Sequence, residues 1–143
     1  MLFRSLFGGF SKCLFQEQKF QSDSERKLAI TLDRETLKWF RPAKGQFQIY
    51  YRWQGDHREY QPDFVAETET AIYMLEPKMS SQMNDSEVLS KKEVAVRWCQ
   101  QATDYMQQHG GKPWTYVLIP HDAIAENMTL LGLTEKFRVL SYQ

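Results

Sequence analysis

The chain has 143 residues, 42% hydrophobic and 25% charged, which is enough for one domain with a real core and is the balance of a soluble globular protein. Eighteen basic residues meet eighteen acidic ones, and zero net charge excludes a global basic field of the kind that advertises nucleic acid. Two cysteines, Cys13 and Cys99, with no CxxC exclude a disulfide framework and a cysteine zinc site, and no run approaches the roughly 20 apolar residues of a membrane span, so a cytoplasmic setting is expected.

Residues 1–20 carry Leu and Phe at irregular spacing around Gly8-Gly9 and lack the unbroken apolar run and cleavage site of a signal peptide. They are expected to be an N-terminal connector, with the domain proper over 21–143. SDSERKLAITLDRETLKWF predicts a helix capped by Ser22 or Asp23, with Glu25 in the first turn where the dipole favours an anion and Leu28, Ala29, Leu32 and Leu37 facing inward. RPAKGQ, with its two breakers, is a loop, and the aromatic run FQIYYRW over 47–53 predicts a strand with GDHRE as its turn. YQPDFVAETETAIYMLEPK, residues 60–78, predicts two strands joined at Glu69-Thr70, although Glu-Thr is not a favoured two-residue hairpin loop. One face of that hairpin carries Asp63, Val65, Ile72, Met74, Glu76 and Lys78, and the other Phe64, Ala66, Tyr73 and Leu75. Both faces are largely apolar, so helices are expected on both sides of the sheet.

After the polar loop SSQMNDS, a helix is predicted from Glu87 to Gln108, its inward face given by Val88, Val94 or Ala95, Trp98, Cys99, Ala102, Tyr105 and Met106, and its end by Gly110-Gly111. WTYVLIP, 114–120, lies between prolines and follows that helix, which predicts a buried strand with a parallel partner. A last helix is expected from His121 to about Leu131 with Asp122 as its cap, and FRVLSY as a short edge strand. The three histidines, His57, His109 and His121, are scattered and suggest loop or cap positions; Trp53, Tyr60 and Trp114 read as structural.

The hairpin carries the chemistry. A turn at Glu69-Thr70 sets Asp63 opposite Glu76, and Glu76 and Lys78 project to the same side. Two facing carboxylates repel, a divalent cation removes the repulsion, and a lysine one strand period away can touch what the cation holds.

This order of elements, with Glu25 on the first helix, Pro62-Asp63 on the second strand and Glu76-Pro77-Lys78 on the third, resembles the PD-(D/E)xK nucleases. More narrowly, the run from about Phe20 to Leu133 is similar to the C-terminal endonuclease domain of type III restriction enzymes and related helicase-nuclease proteins, through SDSERKLA, FQIYY, YQPDFVAET, LEPK, SKKEVAVRWCQQA and GGKPWTYVLIPHDAI. The resemblance implies an α/β fold with a restriction-endonuclease-like αβββαβ core, a mixed central sheet flanked by helices on both faces. It implies DNA phosphodiester hydrolysis with Mg²⁺ or Mn²⁺ held by Asp63, Glu76 and the backbone carbonyl of Pro77. Lys78 would orient the attacking water or stabilise charge on phosphate, and Glu25 would reach the metal directly or through water. One of Lys91 and Lys92, the latter by preference, would face the site and assist phosphate binding; Lys112, Arg52 and Arg58 are further candidates for phosphate contacts. The expected partners are DNA, a helicase or translocase domain and a modification subunit, and a homodimer is left open. No GxxxxGK[ST] occurs, so ATP hydrolysis by this chain itself is not expected. Pro77 lacks an N–H, and the strand is expected to end or bulge there. The competing expectations are a nuclease-like domain that binds DNA or a protein without cutting, and a nuclease acting on RNA.

Overall fold

A computed structural model describes residues 22–140 together with 6–7, 11–13 and 18–19. Most of the expected connector thus lies outside the described residues. Within it, strands β1 (Leu6–Phe7) and β2 (Gln18–Lys19) form an antiparallel pair. Helix α1 (Asp23–Glu35) starts where Ser22 caps it, the hydroxyl accepting from the Glu25 N–H at 3.2 Å. Leu28, Ala29 and Leu32 are buried as their spacing requires. Leu37 is not on that face: Thr36 caps the helix through its N–H to the Leu32 carbonyl, and Leu37 beyond it is 52% exposed. The chain then enters strand β3 (Lys38–Phe40), whose Trp39 is fully buried against Phe64 and donates its indole N–H to Asp33 at 3.1 Å.

The expected first strand of the main sheet goes elsewhere. Strand β4 (Ile49–Trp53) pairs with β5 (Asp56–Tyr60) in a separate two-stranded ribbon, so Asp56–Glu59 is strand rather than turn. The turn is Gln54-Gly55, both at positive φ (51° and 82°), the backbone that a tight two-residue hairpin demands.

The main sheet has the order β3, β6 (Phe64–Glu67), β7 (Ile72–Lys78), β8 (Trp114–Pro120), β9 (Arg138–Val139). The β3–β6, β6–β7 and β8–β9 pairs are antiparallel and β7–β8 is parallel, the crossover being helix α2 (Ser86–Gln108). The β6–β7 register pairs Phe64 with Leu75 and Glu67 with Ile72, as a turn at Glu69-Thr70 requires. That turn closes through the Thr68 side chain, which accepts from the N–H groups of Thr70 and Ala71, while the Thr68 N–H donates to the Ala71 carbonyl at 2.9 Å.

Each face of the sheet carries its own core. Phe64, Ala66, Leu75, Val117 and Ile119 pack with Leu28, Ala29 and Leu32 of α1 and with Leu130 and Leu133 of helix α3 (Leu130–Phe137). Met74, Tyr116 and Leu118 pack on the other side with Val88, Ala95 and Cys99 of α2 and with Ile49, Tyr51 and Tyr60 of the ribbon. Tyr105 is not core; it is 61% exposed and stacks on His109. The last helix begins later than expected because Thr129, not Asp122, caps it, its hydroxyl accepting from the Gly132 N–H; Asp122 instead accepts from the Ser80 hydroxyl, beside a single 3-10 turn at His121–Ala123. The fold is mixed α/β with a mixed five-stranded sheet. Among the described residues no helix is long and apolar enough to cross a membrane.

Candidate active site

Asp63 stands immediately before β6, and continuing the observed register by one residue sets it opposite Glu76 of β7. Glu76 is 3% exposed, an exceptional position for a carboxylate. Two groups meet it. The Tyr60 hydroxyl, at the end of the ribbon, donates to Oε1 at 2.5 Å, and Lys78 Nζ lies 3.6 Å from Oε2. Burial, and then the Glu76 charge, push the Tyr60 phenol well above its ordinary value, so it stays a neutral donor. Tyr60 is thus a buried core residue, as expected, that also touches the candidate site through Glu76. Its neighbour Tyr116, with ring centroids 6.4 Å apart, is also pushed up by burial and by Glu76. The two phenols are close enough to affect each other's ionisation, yet Tyr116 Oη makes no hydrogen bond of normal geometry.

Asp63 is the electrostatic focus. Burial first, then the negative charges of Glu76 and Glu25, raise its carboxyl to about 7, while Arg41 and Lys78 pull the other way without cancelling the rise. This dependence on Glu76 and Glu25 brings the three acids into one electrostatic neighbourhood, although they come from α1, the start of β6 and β7. Glu25 itself is engaged: Arg41 Nη2 lies 3.0 Å from its Oε1, and Arg41 Nε donates to the Asp63 carbonyl at 3.3 Å. The guanidinium also lies over the Phe64 ring, 5.0 Å from its centroid. Arg41 was not identifiable from the sequence, where it opens a loop before Pro42 with no motif around it.

Pro77 neither ends nor bulges the strand, because β7 continues to Lys78, paired with Pro120 of β8. The β6 ladder stops at Leu75, so at Pro77 the strand has a partner on one side only and no β6–β7 bond is sacrificed. The proposed phosphate ligands scatter more. Lys91 lies over the Tyr51 ring at 5.8 Å, and Lys92 is half-buried, lining a groove on α2 with Leu89, Glu93 and Val96. Lys112 is committed to the far end of the hairpin, 2.7 Å from Glu67 and 2.8 Å from the Thr68 carbonyl. Arg58 pairs with Glu87 at 3.0 Å, which also accepts from the Tyr51 hydroxyl and so ties the ribbon to α2. Arg52 is exposed on the outer side of the ribbon.

Among the described residues no group of three or more His, Cys, Asp or Glu side chains is arranged to hold a metal ion. Mg²⁺ needs less: it is commonly bound by one or two carboxylates and keeps several waters. Asp63, Glu76 and the Pro77 carbonyl offer hard oxygen donors of that kind, and the raised Asp63 carboxyl marks a site with more negative charge than its bases neutralise. On donor chemistry and on charge the residues fit a small hard dication. No family model matches this chain, and no curated protein matches it in sequence.

Proposed function

We propose that this chain is a metal-dependent nuclease module that hydrolyses DNA phosphodiester bonds, of the PD-(D/E)xK kind that its sequence resembles. The observation that carries this is the Asp63 carboxyl, raised to about 7 by burial and by the charges of Glu76 and Glu25 while an ammonium stands 3.6 Å from Glu76. A strand-edge charge with no function has no reason to sit half-buried beside two like charges. The order of the main-sheet elements supports the same reading: α1, β3, β6, β7, α2, β8 is helix, three strands, helix, strand, as a restriction-endonuclease-like core requires.

Asp63, Glu76 and the Pro77 carbonyl would hold Mg²⁺ or Mn²⁺, which supplies Lewis acidity at the phosphate and lowers the pKa of water. With its carboxyl raised to about 7, Asp63 is about half protonated near neutral pH, and it would give up that proton to a cation bound beside it. Tyr60 fixes one oxygen of Glu76 and leaves the other toward Lys78. The Lys78 ammonium is placed to orient the attacking water or to meet charge growing on the phosphate. Glu25 would act from the edge of the site, and Lys92 or Lys91, farther along α2, on a phosphate flanking the cut. By the same resemblance the module would work with a translocase domain and a modification subunit.

The test is nicking of supercoiled plasmid in Mg²⁺ or Mn²⁺, with an RNA of matched length beside it. The wild-type chain is expected to nick DNA, and Asp63→Ala and Lys78→Ala, shown to be folded, are expected to lose the activity. Equal cleavage by those variants would remove the assignment. A domain that binds without cutting is favoured by one feature, the Glu25–Arg41 pair at 3.0 Å, which supplies a basic partner where a third acid would otherwise serve a metal. Metal-independent DNA binding with no nicking would establish that alternative.

A further inference from the structure

Arg41 has no role in the reaction outlined above, yet its surroundings are those of an anion-binding residue. It is 19% exposed at the side chain, and its Glu25 partner is 12% exposed, so the pair is mostly covered but still touches solvent. Nη2 meets a carboxylate oxygen at 3.0 Å, and Nε is held by the Asp63 carbonyl at 3.3 Å. The ring of Phe64, 5.0 Å below, supports the guanidinium plane. A guanidinium fixed in this way is a planar fork, and carboxylate and phosphate oxygens fit that fork alike. The anchor at Asp63 is a backbone atom of the very residue proposed to bind metal, so the fork sits directly beside the proposed metal seat. Among the described residues, Glu76 and Glu25 act on Asp63 as like charges, and Arg41 and Lys78 as opposite ones.

We propose that Arg41 is a phosphate-binding residue of this site, and that the Glu25 carboxylate occupies its anion seat until a DNA phosphate displaces it. This rests on the nuclease reading and adds a second role for Glu25, as the resident competitor for Arg41. The exchange conserves charge: one anionic oxygen leaves the guanidinium as another arrives, while the Asp63 carbonyl and Phe64 keep the fork in place. Ordinary ion-pair stapling of α1 to the loop after β3 makes a different prediction, because then loss of either partner harms the protein equally.

The experiment is fluorescence anisotropy of a labelled DNA duplex against the full chain, with Ca²⁺ replacing Mg²⁺ so that cleavage does not intervene. Affinity is measured over a series of salt concentrations. Arg41→Gln is expected to weaken binding about tenfold and to reduce the slope of log affinity against log salt by about 0.9, the signature of one lost phosphate contact. Arg97→Gln, an equal charge loss at an exposed α2 position, controls for net charge. Glu25→Gln is expected to tighten binding several-fold in the wild-type background and to give no such gain when Arg41 is also Gln. If Arg41→Gln unfolds the chain, Arg41→Lys keeps the charge and loses the fork; it should bind several-fold more weakly with the salt slope intact. An unchanged slope in Arg41→Gln, or a Glu25→Gln gain that persists without Arg41, overturns the proposal while leaving plasmid nicking, and with it the nuclease reading, intact. A wild-type chain that neither binds nor nicks DNA overturns both.

Discussion

Replacing Asp63 by Asn should stabilise the metal-free protein, and the gain should depend on pH. In the folded chain burial, then Glu76 and Glu25, raise the Asp63 carboxyl from an ordinary 3.8 to about 7. The native state therefore keeps a proton that the unfolded chain has already lost. With the folded value above the unfolded one, Asp63 costs nothing below about pH 4, costs progressively more as pH rises toward 7, and costs the full amount above it. Three pH units correspond to about 4 kcal/mol. The side chain is only half-buried and solvent screens part of the repulsion, so about 2 kcal/mol is the working figure. For a chain of this length that is roughly 5–8 °C in Tm. The assay is thermal melting of wild type and Asp63→Asn in EDTA from pH 4 to pH 8.5. Asn keeps the shape and removes the charge, so the variant should melt higher at pH 8, and the two curves should meet near pH 4. A variant that is less stable at pH 8, or a difference independent of pH, would refute the electrostatic picture of this site.

Tyr60→Phe leaves the buried Glu76 without its phenol donor and should cost about 1.5–3 kcal/mol, read as a lower urea midpoint with unchanged slope; a neutral result would mean that Glu76 is held otherwise. The Cys99 thiol, pushed up to about 12 by burial, should resist a thiol reagent at pH 8 in the native protein and react only on unfolding, while the half-buried Cys13 reacts first; equal native rates would contradict the packing of α2 on the sheet.

The hairpin was legible in the sequence because its two faces are both apolar and its register has one solution that leaves Asp63, Glu76 and Lys78 together. Strand β8 was equally plain, a continuous apolar run between prolines that can only be buried. Strand β3 was hidden: Trp39 and Phe40 follow α1 closely enough to continue a helical pattern, and only the extended Thr36 cap and the burial of Trp39 reveal the break. Strand β5 was hidden for the opposite reason. Its residues Asp56, His57 and Arg58 are exposed on a ribbon that has water on its outer side, so they look like a loop, while the real turn, Gln54-Gly55, is marked by one glycine alone. The acids of the candidate site stood out in the sequence because metal chemistry restricts residue type and spacing. Tyr60 and Arg41 did not, because a tyrosine ending a strand and an arginine before a proline carry no pattern until the fold brings them to Glu76 and Glu25.

The central claim is that Asp63 and Glu76 form an anionic seat for a divalent cation. Its most direct test is titration of the metal-free chain with Mn²⁺, free ion followed by electron paramagnetic resonance. One site per chain that disappears in Asp63→Asn is the expected result. No saturable site, or a site that survives in Asp63→Asn and in Glu76→Gln alike, would contradict it.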